Sequence, residues 1–203
     1  VALPVGISFY TFQVLSYVFD VYRQNVPVQR NFVLFATYVT FFPKLVSGPI
    51  VTYKDMEAQL RERQVSLDRI CSGATLFLTG LFKKVLIADN LGVLYAGISG
   101  QSGAMSVVTA WLGAIGYTLQ LYFDFSGYSD MAIGLGQMFG FDIDKNFDYP
   151  YLSKSITEFW RRWHISLGKW FRDYVYFPLG GSRVRTSKIL RNLLIVWLPT
   201  GIC

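Results

Sequence analysis

Three groups of residues in this 203-residue sequence could carry chemistry, and the first centres on its single histidine. His164 follows Trp160, Arg161, Arg162 and Trp163 and precedes Ile165, Leu167 and Gly168. From Ser155 to Tyr174 the apolar residues Ile156, Phe159, Trp160, Trp163, Leu167, Trp170, Phe171 and Tyr174 recur at spacings of three and four. Glu158, Arg161, Arg162, Lys169, Arg172 and Asp173 fill the other side. This pattern predicts an amphipathic helix with aromatic and basic residues, suited to a membrane interface. On it His164, four residues from Trp160 and Gly168, lies toward the apolar edge. Burial there favours the neutral imidazole, the form that accepts a proton. Periodicity alone favours a core histidine bonded to a backbone carbonyl; general-base chemistry is the sharper alternative.

Asp124 and Asp130 form the second group, in Tyr122-Phe-Asp-Phe-Ser-Gly-Tyr-Ser-Asp130 between apolar runs. Ionisable residues at membrane depth are costly and face a protein interior or a watery cavity. The two aspartates are six apart, so one straight helix does not put them on one face, whereas Ser126 and Asp130 share one. A direct role and a structural one, accepting bonds from Ser, Tyr or Arg and holding a helix break open, both fit. The third group is Arg161, Arg162 and Arg172, which offer charge to an anionic donor or, equally simply, to lipid headgroups. Pro178-Leu-Gly-Gly-Ser-Arg183 lacks the spacing of a phosphate-cradling loop and predicts a turn before basic surface. Cys71 and Cys203 show no metal-ligand or redox spacing, and with one histidine no metal site is expected.

These residues sit in a membrane-protein sequence. It is 52% hydrophobic and 16% charged, with mean hydropathy +0.34, against roughly a quarter charged in soluble domains. Val1 to Phe19 and Asn90 to Phe123 contain no charged residue, and about 20 such residues suffice to cross a bilayer as a helix. The first span is read as Leu3 to Phe19. Phe32 to Tyr53 is apolar but interrupted by Phe42-Pro-Lys44 and Ser47-Gly-Pro49, which predicts a broken or re-entrant helix surrounded by protein. Lys54 to Arg69 is a polar loop or surface helix, with four basic and four acidic residues. Ile70 to Tyr95 is apolar apart from Lys83, Lys84 and Asp89, and a turn is expected from Gly97 to Gly103. A span from Val107 to Phe123 continues to Phe141, before an acidic turn from Asp142 to Tyr149.

Lys154 to Arg191 carries nine basic residues and two acidic ones, most of the net charge of +6. By the positive-inside tendency this segment faces the cytoplasm. Nucleic-acid binding is disfavoured, because the basic residues are interleaved with Trp160, Trp163, Trp170 and Phe171 beside membrane spans. The fold class expected is all-α: a polytopic membrane protein of transmembrane, re-entrant and interfacial amphipathic helices. Residues 1–203 read as a single membrane-embedded domain. The chain opens on Val1 and closes on Cys203 inside a new apolar run, so the domain is expected to be incomplete at both ends.

The run Ile156-Thr-Glu-Phe-Trp-Arg-Arg-Trp-His-Ile-Ser-Leu167, with Trp170-Phe-Arg-Asp-Tyr174 and Phe177-Pro-Leu-Gly-Gly181, closely resembles the membrane-bound O-acyltransferase family. Pro4-Val-Gly-Ile-Ser-Phe-Tyr-Thr-Phe-Gln13, Phe41-Phe-Pro-Lys-Leu-Val-Ser-Gly-Pro-Ile50, Phe123-Asp-Phe-Ser-Gly-Tyr-Ser-Asp130 and Asn146-Phe-Asp-Tyr-Pro-Tyr151 are similar as well. The resemblance is strongest to the bacterial alginate O-acetyltransferase-like branch and covers nearly the whole chain. It implies a multi-helix enzyme of the bacterial inner (cytoplasmic) membrane that moves an acyl group to a hydroxyl. This branch resembles proteins that acetylate exported polysaccharide together with periplasmic or extracellular partner proteins. A sister branch adds D-alanine to teichoic acids, taking it from a carrier protein.

The resemblance makes His164 one of two functional histidines. The other belongs to a later Trp-His-Gly motif, which would fall just past Cys203, and a chain without it is expected not to turn over. In that arrangement the second histidine is the base, while His164 positions substrate or polarises the acyl carbonyl. Trp160, Trp163, Arg161, Arg162, Asp124 and Asp130 become candidate substrate-binding residues. No cofactor is bound; the donor, acetyl-CoA or an acyl carrier, is a substrate. Outside enzymes, a transporter or membrane scaffold would use broken helices and buried aspartates to line a conduit, but the inverted repeats of such proteins are not visible.

Overall fold

A computed structural model describes residues 6–45, 48–100 and 105–202. Among them the chain is helical throughout, without strands, as the sequence leads one to expect. The contacts divide it into two compact units: Val1–Arg63 with Asp144–Cys203, and Gln64–Ile143.

The Gln64–Ile143 unit is built on two long helices. Ser66 caps α4 (Leu67–Phe82) by accepting from Arg69 N. A π turn, Lys83–Ala88, carries it without interruption into α5 (Asp89–Ser99). Together they span 33 residues and are apolar enough to cross a membrane, the one such helix among the described residues. Ser106 caps α6 (Val107–Met138), which runs unbroken for 32 residues. Gly73 and Gly80 face Gly134 and Gly127, so closely that a Cβ at Gly73 would lie 2.5 Å from the Gly134 carbonyl oxygen. Only glycine allows this approach of α4 to α6. Where the packing meets charge, Lys83 pairs with Asp130 at 2.5 Å, and Lys84 with Asp124 at 2.7 Å and Asp89 at 2.6 Å.

Two local expectations change. No helix break lies between Asp124 and Asp130, because each carboxylate finds a lysine on the neighbouring helix and α6 stays regular. Gly97 and Ser99 belong to α5 rather than to a turn; residues 101–104 lie outside the described residues.

The other unit begins with α1 (Ile7–Tyr22), which corresponds to the first expected span; residues 1–5 lie outside the described ones. Asn31 caps α2 (Phe32–Thr40) through Val33 N and Leu34 N. The apolar run then breaks as expected: Pro43 starts a 3-10 turn, Phe42–Lys44, and the chain is extended before α3 (Tyr53–Arg61). Val46 and Ser47 lie outside the described residues. Lys44 is fully buried, its Nζ 3.8 Å from the centre of the Tyr38 ring and 3.6 Å from Met56 Sδ. Tyr38, Tyr53 and Tyr17 pack ring against ring between α1, α2 and α3.

The same unit closes with α7 (Ile156–Arg162), α8 (Ile165–Phe171), a π turn (Arg172–Tyr176) and α9 (Thr186–Ile202). Ile50, Trp170 and Phe171 form its apolar core, joined by Phe9, Phe12, Leu167, Tyr174, Val175 and Val196. Trp170 Nε1 donates to Phe12 O at 2.9 Å, and Tyr174 donates to Asp20 at 2.6 Å, so the buried Trp170 and the half-buried Tyr174 both have their polar atoms satisfied. The turn after Phe177 uses Gly180 at φ 95° and Gly181 at φ 56°, where a side chain would be strained. Buried Asn192 of α9 holds that turn by donating to Leu179 O at 3.0 Å.

Candidate functional site

The region expected to be one amphipathic helix is two helices with His164 at the joint. Ser155 starts α7 by accepting from Glu158 N at 3.1 Å, while Glu158 accepts from Lys154 N. The helix stops at Arg162 because a neighbouring segment takes over its hydrogen bonds. Asp148 N donates to Arg162 O, and Ile165 N donates to Asn146 O, each at 2.9 Å. Trp163 is therefore extended, and His164 adopts the left-handed conformation, φ 46° and ψ 55°. That conformation costs a non-glycine residue about 1–2 kcal/mol, supplied here by the surrounding bonds. α8 then starts afresh, with Leu167 N and Gly168 N donating to His164 O.

Asn146, buried to 1% exposure, secures the joint. Its Oδ1 accepts from Ser166 N at 3.1 Å and Ser166 Oγ at 2.9 Å, and lies 3.2 Å from His164 Nδ1. Ser166 Oγ in turn accepts from Ile50 N at 3.0 Å. Nδ1 of the histidine thus meets a side-chain amide, where the structural alternative placed a backbone carbonyl. It also stacks on Phe9 at 6.4 Å. Its two flanking helices have seven residues each, about a third of a bilayer crossing. Burial pushes the imidazole down from 6.5 to about 4, so it is neutral near pH 7.

His164 lines a cavity of about 230 Å³. Trp160, Trp163, Leu167 and Phe171 form one side, Leu193, Val196 and Trp197 of α9 the other, with Arg172, Tyr176 and Thr200 as further polar lining. Trp160 meets Trp197 edge-on at 4.7 Å. Both also wall a neighbouring groove of about 670 Å³ that carries Arg161, Lys169 and Arg172.

Of the residues singled out in the sequence, Trp160, Trp163 and His164 meet at the cavity, and Arg161 and Arg172 at the groove. Arg162 lines neither; it bonds Glu158 at 2.8 Å and Asp148 O at 3.2 Å and so holds the joint. Asp124 and Asp130 belong to the other unit, where each is paired with a lysine. Asn146, Ser166 and the α9 residues Trp197 and Thr200 were not anticipated. Asn146 opens the Asn-Phe-Asp-Tyr-Pro-Tyr151 motif, but an asparagine in an acidic loop gives no local sign of a partner 18 residues away.

Comparison with known proteins bears on this geometry. The sequence profile of the membrane-bound O-acyltransferase family matches residues 23–200. The chain is 52% identical, over its whole length, to a probable alginate O-acetylase, AlgI, of Azotobacter vinelandii, of which it spans 40%. It is 38% identical over 98% of its length to the peptidoglycan O-acetyltransferase of Helicobacter pylori, spanning 43% of that protein. A teichoic acid D-alanyltransferase of Bacillus subtilis is 30% identical over 85% of the chain, which spans 44% of it. The chain therefore spans less than half the length of these relatives. With a match over most of its residues and the histidine motif intact, the chain belongs to the membrane-bound O-acyltransferase family.

Proposed function

We propose that this chain is the His164-bearing part of an O-acetyltransferase of the bacterial inner membrane, moving acetyl from a thioester donor to hydroxyls of an exported polysaccharide. The observation that carries the reading is a neutral histidine in the wall of a small, largely apolar cavity. About 230 Å³ is below the roughly 300–1,000 Å³ of sites for larger ligands, which suits a short acyl group. The 52% identity to an alginate O-acetylase supports acetyl over D-alanyl.

In this reading His164 contacts the reacting acyl or hydroxyl group, with Trp160 and Trp163 packing around the acyl methyl. Arg161, Lys169 and Arg172 give the neighbouring groove the charge to hold an anionic donor, acetyl-CoA or an acyl carrier. Arg162 supports the site from behind. The helix Leu67–Ser99 crosses the bilayer, α1 and α6 contribute further crossings, the Phe42–Lys44 break is re-entrant, and the basic α7–α9 region lies toward the cytoplasm. Periplasmic partner proteins carry the acetyl group on to the polymer.

The test is complementation in a strain that lacks the gene, with acetyl ester content of the exported polymer as readout. Wild type restores acetylation, and His164→Ala, inserted at equal level, does not. Restoration by His164→Ala would refute the reading.

A further inference from the structure

The hydrogen bonds around Asn146 determine which nitrogen of His164 carries the proton. Ser166 N is a backbone donor and nothing else, so the Asn146 atom 3.1 Å from it is the oxygen, not the amide nitrogen. Ser166 Oγ accepts from Ile50 N, which leaves its own hydrogen for that same oxygen, at 2.9 Å. A carbonyl oxygen has no hydrogen to give. The contact at 3.2 Å between it and His164 Nδ1 is a hydrogen bond only if Nδ1 donates. In a neutral imidazole with a proton on Nδ1, Nε2 holds a lone pair and no proton.

We propose that Asn146 is a positioning residue for acyl transfer: it holds His164 as the Nδ1–H tautomer, so that Nε2 acts as a hydrogen-bond acceptor for the attacking hydroxyl. This rests on the acyltransferase reading and separates the two roles left open for His164. A neutral imidazole without a proton on Nε2 cannot polarise an acyl carbonyl through that atom. It can orient a hydroxyl by accepting its hydrogen, leaving an oxygen lone pair for the acyl carbon.

The choice of asparagine is informative. Its Nδ2 is buried without a hydrogen-bond partner among the described residues. An aspartate in this place would leave no donor orphaned, but its charge would favour the imidazolium, which has no lone pair to offer. Asparagine keeps the acceptor toward Nδ1 and leaves the ring neutral. Arg172 and Tyr176, the other ionisable groups lining the cavity, stand on the π turn rather than on this loop.

The experiment uses the full-length protein in membranes, with a thioester donor and a hydroxyl acceptor, and records the rate against pH. Asn146→Asp keeps an oxygen for Ser166 and His164 while adding charge. The acid limb of the profile should move up by about one unit or more, with the alkaline plateau preserved. A residue that merely held the fold would lower expression or thermal stability and leave the limb where it was. An unmoved limb in an active Asn146→Asp protein would therefore overturn the proposal. A second measurement needs no Asn146 variant: 15N spectra of histidine-labelled wild type, with the His164 signals identified by their loss in His164→Gln. The expected result is a protonated Nδ1 and a bare Nε2; a proton on Nε2 would overturn the proposal. If instead His164→Gln transfers acetyl at the wild-type rate, the acyltransferase assignment of this site fails, while the spectra still decide the tautomer.

Discussion

Trp160 meets Trp197 edge-on, ring centroids 4.7 Å apart at 72°, and both rings line the His164 cavity as well as the basic groove beside it. Removing one ring should join the two spaces. Trp197→Ala is expected to cost about 1–3 kcal/mol of stability, because the indole is partly exposed and an aromatic contact is lost. It should also raise transfer of butyryl relative to acetyl in a two-donor competition. An unchanged preference would show that these rings do not limit acyl length.

The depressed imidazole sets a direction for pH. His164 titrates at 6.5 when unfolded and about 4 when folded, so between these values the unfolded chain binds more protons. Stability is then fully present above about pH 6.5 and declines as pH falls toward 4, by on the order of 3 kcal/mol in all. The thermal midpoint of the full-length protein should fall across this window, and His164→Gln should flatten that slope. A slope as steep in the variant would assign the acid sensitivity to other groups.

Lys44 is buried between the Tyr38 ring and Met56 Sδ, with no carboxylate among these contacts. Lys44→Met should therefore be tolerated, with thermal stability equal or higher by about 1 kcal/mol, since hydrophobic replacement of buried charge-bearing groups is often neutral or stabilising. Lys44→Glu should lower stability by about 3 kcal/mol or more, because it buries a carboxylate without a counter-charge. Equal stabilities of the two variants would contradict the burial.

The Lys83–Asp130 pair, with both side chains about three-quarters buried, makes a prediction for the other unit. Lys83→Met alone strands a carboxylate on α6, whereas Lys83→Met with Asp130→Leu removes both charges. The double variant should be more stable than the single one by about 1–3 kcal/mol. A single variant as stable as the double would mean that Asp130 is solvated without its partner.

The helical fold, the break at Phe42-Pro-Lys44 and the cluster of Trp160, Trp163 and His164 were legible in the sequence. Apolar runs, proline and period-3.6 spacing are local signals, and each acts where it stands. The break at Trp163–His164 was not legible, because nothing between Ser155 and Tyr174 interrupts the helical period. It is imposed by Asn146 and Asp148, which capture the backbone groups of Ile165 and Arg162. The α9 wall of the cavity escaped notice for the same reason: Trp197 meets Trp160 only through tertiary packing. Asp124 and Asp130 stood out by charge at apolar depth, but their lysine partners lie 40 and 47 residues away in sequence.

Participation of His164 in acyl transfer is open to a single-turnover measurement on the full-length protein. Acetyl loaded on the donor is followed to the hydroxyl acceptor for wild type and His164→Gln, with membrane insertion and thermal midpoint compared at pH 7.5. The expected rate is at least about a hundredfold lower in the variant, with insertion unchanged. A variant rate equal to wild type would contradict it.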